Sequence, residues 1–360
     1  MSRAPDPQAV LAAGREPPRR PAMSDPPPPT MNSVRLRAPG DLFLASEPHP
    51  EAAPSETLVR VATVGLCGSD LHWFGQGSIG DAVLGKPLVL GHEFGGTAVG
   101  GPLDGRRVAV DPAIPCGACA RCRENNANLC PQVRFAGHGS TDGGLREYIA
   151  WPTELLHPVP DSFSDDTVAL LEPLGVALHA WDLGHLRFGG SVAVVGCGPI
   201  GLMVVQVARA AGASSVIAVE PLAHRRQAAL EEGATLALAP DESRRHGPEV
   251  DVAVELAGTD DAVELAMLLV RGGGRVVLAG IPDDDRTSFP ASLARRKGLT
   301  IAMSRRMKDA YPRAIRLVAR GVVQLDRLVS NRYPLAEAHK AFKAAARREG
   351  LKTVVKVTPG

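Results

Sequence analysis

The sequence predicts an α/β protein of two domains, a small all-β unit followed by a doubly wound parallel sheet, and three observations predict it. At 360 residues the chain exceeds what a single hydrophobic core usually fills. From Val34 to about Ala150, short alternating apolar segments are broken by glycine and proline. From Ser191 onward the pattern changes to strand, glycine turn, helix and strand. The 44% hydrophobic content suffices for both cores. Net charge is +1, both signs are dispersed, and no basic tract is interleaved with aromatics, which points to a small-molecule partner and away from nucleic acid. No run of about 18 apolar residues lacks both charge and glycine, so no membrane span is expected.

Residues 1–30 are dominated by proline, ending in Pro26-Pro27-Pro28-Pro29, and carry too few apolar residues for a core; they read as a disordered tail. The stretch Pro7-Gln8-Ala9-Val10-Leu11-Ala12-Ala13-Gly14 is at best a stub of a secretory signal, and Asp6, Glu16 and Asp25 do not suit an acid-poor transit peptide. Met31 opens the first patterned segment and is an alternative translation start.

In the first unit, strands are expected at 57–63, 97–99, 107–110 and 147–150, as in a small barrel or sandwich. Its loops carry VGLCGSDLHW and PLVLGHEFGG, which place Cys67, His92 and Glu93 where a metal can collect them. Thiolate, imidazole and carboxylate are the side chains zinc accepts, and a catalytic zinc takes three of them and leaves one position open. The bland alternative is core filling, but His92 and Glu93 sit among Gly91, Gly95 and Gly96, which offer two polar side chains no evident partner.

PCGACARCRENNANLCP follows, with Cys116, Cys119, Cys122 and Cys130 spaced C-x2-C-x2-C-x7-C. Two disulfides are the alternative to a metal. With no secretory signal the chain is expected in a reducing compartment, the cytoplasm, where such spacing binds zinc; four thiolates leave no open position, so this zinc would be structural.

The second unit opens with SVAVVGCGPIGLMVVQVARAAGASSVIAVEP. Gly196, Gly198 and Gly201 form G-x-G-x-x-G after a strand and before a helix that starts at Pro199 and Ile200, and Glu220 ends the next strand. The first glycine permits the turn, the second admits a pyrophosphate, the third lets helix pack on strand, and the helix start faces the phosphate charge. A carboxylate at Glu220 accepts ribose hydroxyls and repels a 2′-phosphate, which selects NAD. Arg225 and Arg226 keep NADP as the lesser alternative unless they form a solvated helix face. Cys197 reads as a small apolar filler.

C-G-S-D-x-H with G-H-E-x-x-G resembles the zinc-dependent medium-chain dehydrogenase/reductase family, and CGSDLHWFGQGSIG, PLVLGHEFGG and LLEPLGVALHA are similar to its polyol branch, the sorbitol and xylitol dehydrogenases. The likeness runs from about Val34 to the C-terminus. It implies a chaperonin-10-like β-barrel catalytic domain over 31–175, completed by 310–360, and a Rossmann cofactor domain over 176–309. It also implies that Cys67, His92 and Glu93 bind the catalytic zinc, with Glu172 reaching the metal directly or through water where ethanol-type relatives have cysteine. Ser69 and His72 match the family's proton relay, and Asp70 the acid that orients His92. Phe135 matches a pocket aromatic, Trp73 stands in place of a tyrosine and His138 in place of a threonine, and Arg306 matches an arginine near the polyol hydroxyls. The expected reaction is oxidation of a secondary alcohol of a polyol or sugar acid by NAD. Threonine dehydrogenase, another zinc alcohol dehydrogenase, and a non-enzymatic nucleotide-binding protein are the alternatives. The family's habit implies a dimer or tetramer.

Overall fold

A computed structural model of the chain describes residues 29–358. The tail expected over 1–30 thus lies outside the described residues except for its last two, and Thr30 already opens the strand Thr30–Ala38.

The first sheet is organised on Glu56–Gly65, whose β-branched residues Val59, Val61 and Val64 are fully buried. This strand pairs antiparallel with Glu93–Val99, Tyr148–Pro152 and Lys352–Lys356. Arg107–Val110 and Leu156–Pro158 extend the sheet on one side and Val329–Pro334 on the other, making seven strands; Asp41–Pro48, Thr30–Ala38 and Leu88–Val89 form a separate three-stranded sheet. Val59, Val61, Phe94, Trp151 and Phe342 share the enclosed core. Two segments differ from expectation. The stretch after Cys67 is a helix, Gly68–Gln76, rather than loop, and Val329–Pro334 is a strand between two segments, 311–320 and 335–346, where the sequence pattern after about Lys308 reads as helical.

The second sheet holds six parallel strands in the spatial order Leu236–Leu238, Ser215–Val219, Ser191–Val195, Val250–Glu255, Val270–Leu278, Thr300–Met303. Strand order reverses beside Ser191–Val195, and in open α/β sheets the ligand crevice opens at the carboxyl ends of the strands at that switch point. Helix Leu171–Gly184 packs on Glu93–Val99 of the first sheet and on Val250–Glu255 and Val270–Leu278 of the second. One apolar cluster, including Ala109, Leu174, Val192 and Val354, therefore runs from sheet to sheet. Among the described residues, no helix is long and apolar enough to cross a membrane.

Candidate active site

Cys67 ends the turn after the central strand and caps helix Gly68–Gln76, while Glu93 is the first residue of Glu93–Val99. Gly91, at φ +92°, turns the chain between them; a Cβ there would also fall 2.6 Å from Val64 Cγ1. The result is one ligand atom each from Cys67, His92 and Glu93, all within 4.8 Å of one another. His92 and Glu93 are buried.

Other side chains orient this trio. Asp70, fully buried, accepts from Cys67 N (2.9 Å) and Gly91 N (3.1 Å) and lies 3.5 Å from His92 Nδ1, which leaves Nε2 as the ring nitrogen available to a metal. Burial opposes charge on both groups, but the mutual attraction of Asp70 and His92 prevails: the carboxyl is held below its usual range and the imidazole, helped by Cys67, well above its own. Ser69 Oγ is 3.5 Å from His92 Nε2. His72 points to the other domain, where its Nδ1 lies 3.4 Å from Asp283 Oδ1. Lys352, buried on the last strand, donates to Leu66 O (2.9 Å) and forms an ion pair with Glu93 Oε2, an oxygen with no well-angled hydrogen bond. Gly65 makes room for that pair, since a Cβ there would sit 2.1 Å from Glu93 Oε2.

Glu172 opens helix Leu171–Gly184 and is buried within electrostatic reach of His92 and Glu93, but its carboxylate is not among the atoms that meet within 4.8 Å. Burial, reinforced by Glu93 and Asp111 against the pull of His92 and Lys352, pushes it up to about 8. Phe135 packs beside the cluster, its ring 5.2 Å from that of His92 and its centroid 4.5 Å from the Arg306 guanidinium. Trp73 is buried and meets His138 edge-on at 5.4 Å.

The four cysteines of the lobe also converge. Among the described residues no disulfide forms, which removes the two-disulfide alternative. Sγ separations are 4.0 Å for Cys116 and Cys122, 3.5 Å for Cys119 and Cys122, and 3.9 Å for Cys119 and Cys130. Zinc–sulfur bonds of about 2.3 Å in a tetrahedron set sulfurs about 3.8 Å apart. Backbone N–H groups of Ala118 and Cys119 draw Cys116 down to about 6, while desolvation and Cys119 push Cys122 up to about 12; thiols this close share protons until a cation replaces them.

At the second sheet, Gly196 has φ +96°, and a Cβ on Gly201 would fall 2.1 Å from Gly196 O. A Cβ on Gly198 would meet only Arg225 Nη1, at 3.7 Å, so the concavity before helix Pro199–Ala210 is open. Buried Glu220 accepts from Cys197 N (2.8 Å) and Leu222 N (3.1 Å), tying the glycine turn to the next strand. Arg225 and Arg226 do not form a solvated face: Arg225 is half-buried beside Gly198, and Arg226 donates to Glu220 O and Pro221 O. Cys197 is enclosed, and burial raises its thiol to about 12.

Residues 53–161 match the alcohol dehydrogenase GroES-like domain, and residues 199–320 match the zinc-binding dehydrogenase family. The chain belongs to the zinc-dependent medium-chain dehydrogenases. Sorbitol dehydrogenase of Bacillus subtilis is 35% identical over 346 residues, 91% of this chain and 98% of that one. L-Idonate 5-dehydrogenase of Escherichia coli superposes with a TM-score of 0.85 at 27% identity, covering 91% of this chain and 98% of the other. Galactitol-1-phosphate dehydrogenase of the same organism does so at 0.82 and 27%, covering 91% and 100%.

The donor sets of this dehydrogenase fit zinc at both clusters. At the first, Asp70 and Cys67 favour positive charge on His92, and they favour a cation at its Nε2 for the same reason. The open Gly198 concavity and the free N–H groups of helix Pro199–Ala210 fit a dinucleotide pyrophosphate. Sequence reasoning missed Lys352, Asp283 and Asp111. Lys352 had a signal, being one of two lysines, with Lys356, that flank the apolar run Thr353-Val354-Val355; the exposed Asp283 had none.

Proposed function

We propose that this dehydrogenase oxidises a secondary hydroxyl of a polyol or sugar acid to the ketone, with NAD as hydride acceptor. The convergence of Cys67, His92 and Glu93 within 4.8 Å, with buried Glu172 in electrostatic reach of them, carries the reading, because a site rich in carboxylates suits a substrate with neighbouring hydroxyls. Bound there, zinc would supply Lewis acidity that lowers the pKa of an alcohol, and NAD the hydride acceptor that no side chain provides. Cys67, His92 and Glu93 would hold the metal. Glu172 acts at one remove, accepting from a water or a substrate hydroxyl. Ser69 takes the proton of the reacting hydroxyl and His72, oriented by Asp283, passes it toward solvent.

Pro199 and Ile200 start the helix that meets the pyrophosphate, and Glu220 selects NAD. A reducing compartment, the cytoplasm, fits this reading, because cysteines that hold zinc must stay thiols, and the free lobe cysteines support it. A homo-oligomer is further inferred: strand Thr300–Met303 ends the parallel sheet with one neighbour and leaves Met303 exposed, and sedimentation of a monomer would refute it.

The test is turnover of xylitol, sorbitol, arabinitol and hexonates against threonine and 2-butanol, followed as cofactor reduction. Polyols or hexonates should exceed threonine and the monohydric alcohol in kcat/KM, with NAD preferred over NADP by at least about tenfold. Faster turnover of threonine, or equal rates on 2-butanol, would sink the polyol reading.

A further inference from the structure

Arg306 is held in an arrangement that its neighbours do not satisfy. Its backbone is left-handed, φ +55°, in a loop fastened to the cysteine lobe: Asn128 Nδ2 donates to Arg305 O (3.1 Å) and Lys308 Nζ to Asn126 Oδ1 (2.8 Å). The guanidinium lies over Phe135, whose other neighbour is His92. Its Nη1 is buried and has no hydrogen-bond partner, and among the described residues Arg306 makes no ion pair. Glu172 and Asp111 act on it only through space. Burial lowers its pKa to about 10, which leaves it charged at neutral pH.

Arg305 stands exposed beside it, and half-buried His138 lies within electrostatic reach of both Arg306 and His92. Hydroxyls alone would satisfy the free N–H but not the charge. A guanidinium removed from water and left without a carboxylate favours a planar or tetrahedral anion, to which it donates charge-assisted hydrogen bonds.

Resting on the polyol reading above, we propose that the substrate carries a fixed negative charge, a carboxylate or phosphate on the carbon chain beyond the reacting hydroxyl, and that Arg306 holds it, with Arg305 at the rim and His138 as the adjoining polar group. The cysteine lobe is then a positioning element for specificity, because it anchors the loop on both sides of Arg306.

The experiment compares a hexitol, the corresponding hexonate and the hexitol phosphate as substrates of the zinc-loaded enzyme. The wild type should favour an anionic substrate by at least about 30-fold in kcat/KM, and its advantage should shrink several-fold between low and high salt. Whichever anion is faster identifies the group. Arg306→Gln should cut the ratio of anionic to neutral turnover to about 3 or less, chiefly through KM, with Arg306→Lys restoring part of it. The salt dependence needs no variant, and His138→Thr supplies a second one should Arg306→Gln fail to fold; it should lower the ratio by a smaller factor. A wild type that prefers the neutral hexitol, with no salt dependence, overturns the anionic proposal and leaves the polyol reading standing. Oxidation of none of the three, with threonine or 2-butanol turned over instead, removes both.

Discussion

The cysteine lobe and the Cys67–His92–Glu93 cluster are both suited to zinc, yet they are built in opposite ways. The lobe draws four like ligands from one stretch of fifteen residues, 116–130, and its N–H groups donate to its own sulfurs: Cys116 N to Cys130 Sγ, Cys119 N to Cys116 Sγ, Cys122 N to Cys119 Sγ. The cluster draws three unlike ligands from a helix cap, a glycine turn and a strand start, and depends on Asp70, Gly65 and Lys352 to aim them. A local site holds its own segment; a distributed one is held by the fold. Substitution should therefore separate stability from activity.

The largest expected effect is on turnover. His92→Ala should lower kcat/KM by at least about 1,000-fold, because the metal loses a ligand and its orientation. Zinc analysis should fall from two ions to one per chain, the two clusters being independent, while the thermal midpoint moves by only about 3 °C. Two zincs retained by this variant would break the comparison from one side.

Cys122→Ser should reverse the pattern, releasing one zinc and lowering the midpoint by at least about 5 °C, with a smaller loss of turnover. A variant that keeps both zincs shows the lobe is not a metal site. Next comes Lys352→Met, which leaves Glu93 buried without its countercharge. We expect about 10- to 100-fold lower activity or metal affinity at the cluster and unchanged zinc in the lobe. No change at either site would show that the distributed cluster does not need the last strand.

The smallest effect concerns Asp111, which precedes the lobe and lies within electrostatic reach of Arg306 and Glu172. Burial pushes its carboxyl up to about 6, so the folded chain keeps a proton that the unfolded chain releases. Its contribution to stability therefore falls as pH rises from about 4 through 6 and stays low above that. Asp111→Asn should raise the midpoint by about 2 °C at pH 7.5 and leave it unchanged at pH 4. An equal gain at both pH values would assign the effect to packing instead.

This contrast also governs what was legible in the sequence. The lobe could be read completely as a ligand set, because its geometry is nearly its spacing. The glycine turn and Glu220 were readable for the same reason, one βαβ unit carrying all of them. At the cluster, Cys67, His92 and Glu93 were named from residue type and setting and again through motif resemblance, but the helix Gly68–Gln76 was not, since Gly68 and Ser69 at its start and Gly75 near its end weaken any helical pattern. Strand Val329–Pro334 was hidden because Asn331, Arg332 and Pro334 break the apolar run; its place comes from pairing with Lys352–Lys356. Glu172 was placed beside the metal, and its position outside the closest group is set by helix packing, which no local pattern encodes.

Lys352 lies 286 residues beyond Leu66, whose carbonyl it holds, so the cluster joins strands that are far apart along the chain. The lobe can load metal as soon as residue 130 has emerged, whereas the buried charge on Glu93 has no counterpart until Lys352 has followed. Metal incorporation in this enzyme should consequently be ordered in time, structural ion first. Pulsed zinc labelling during refolding would show both ions arriving together if that ordering were absent.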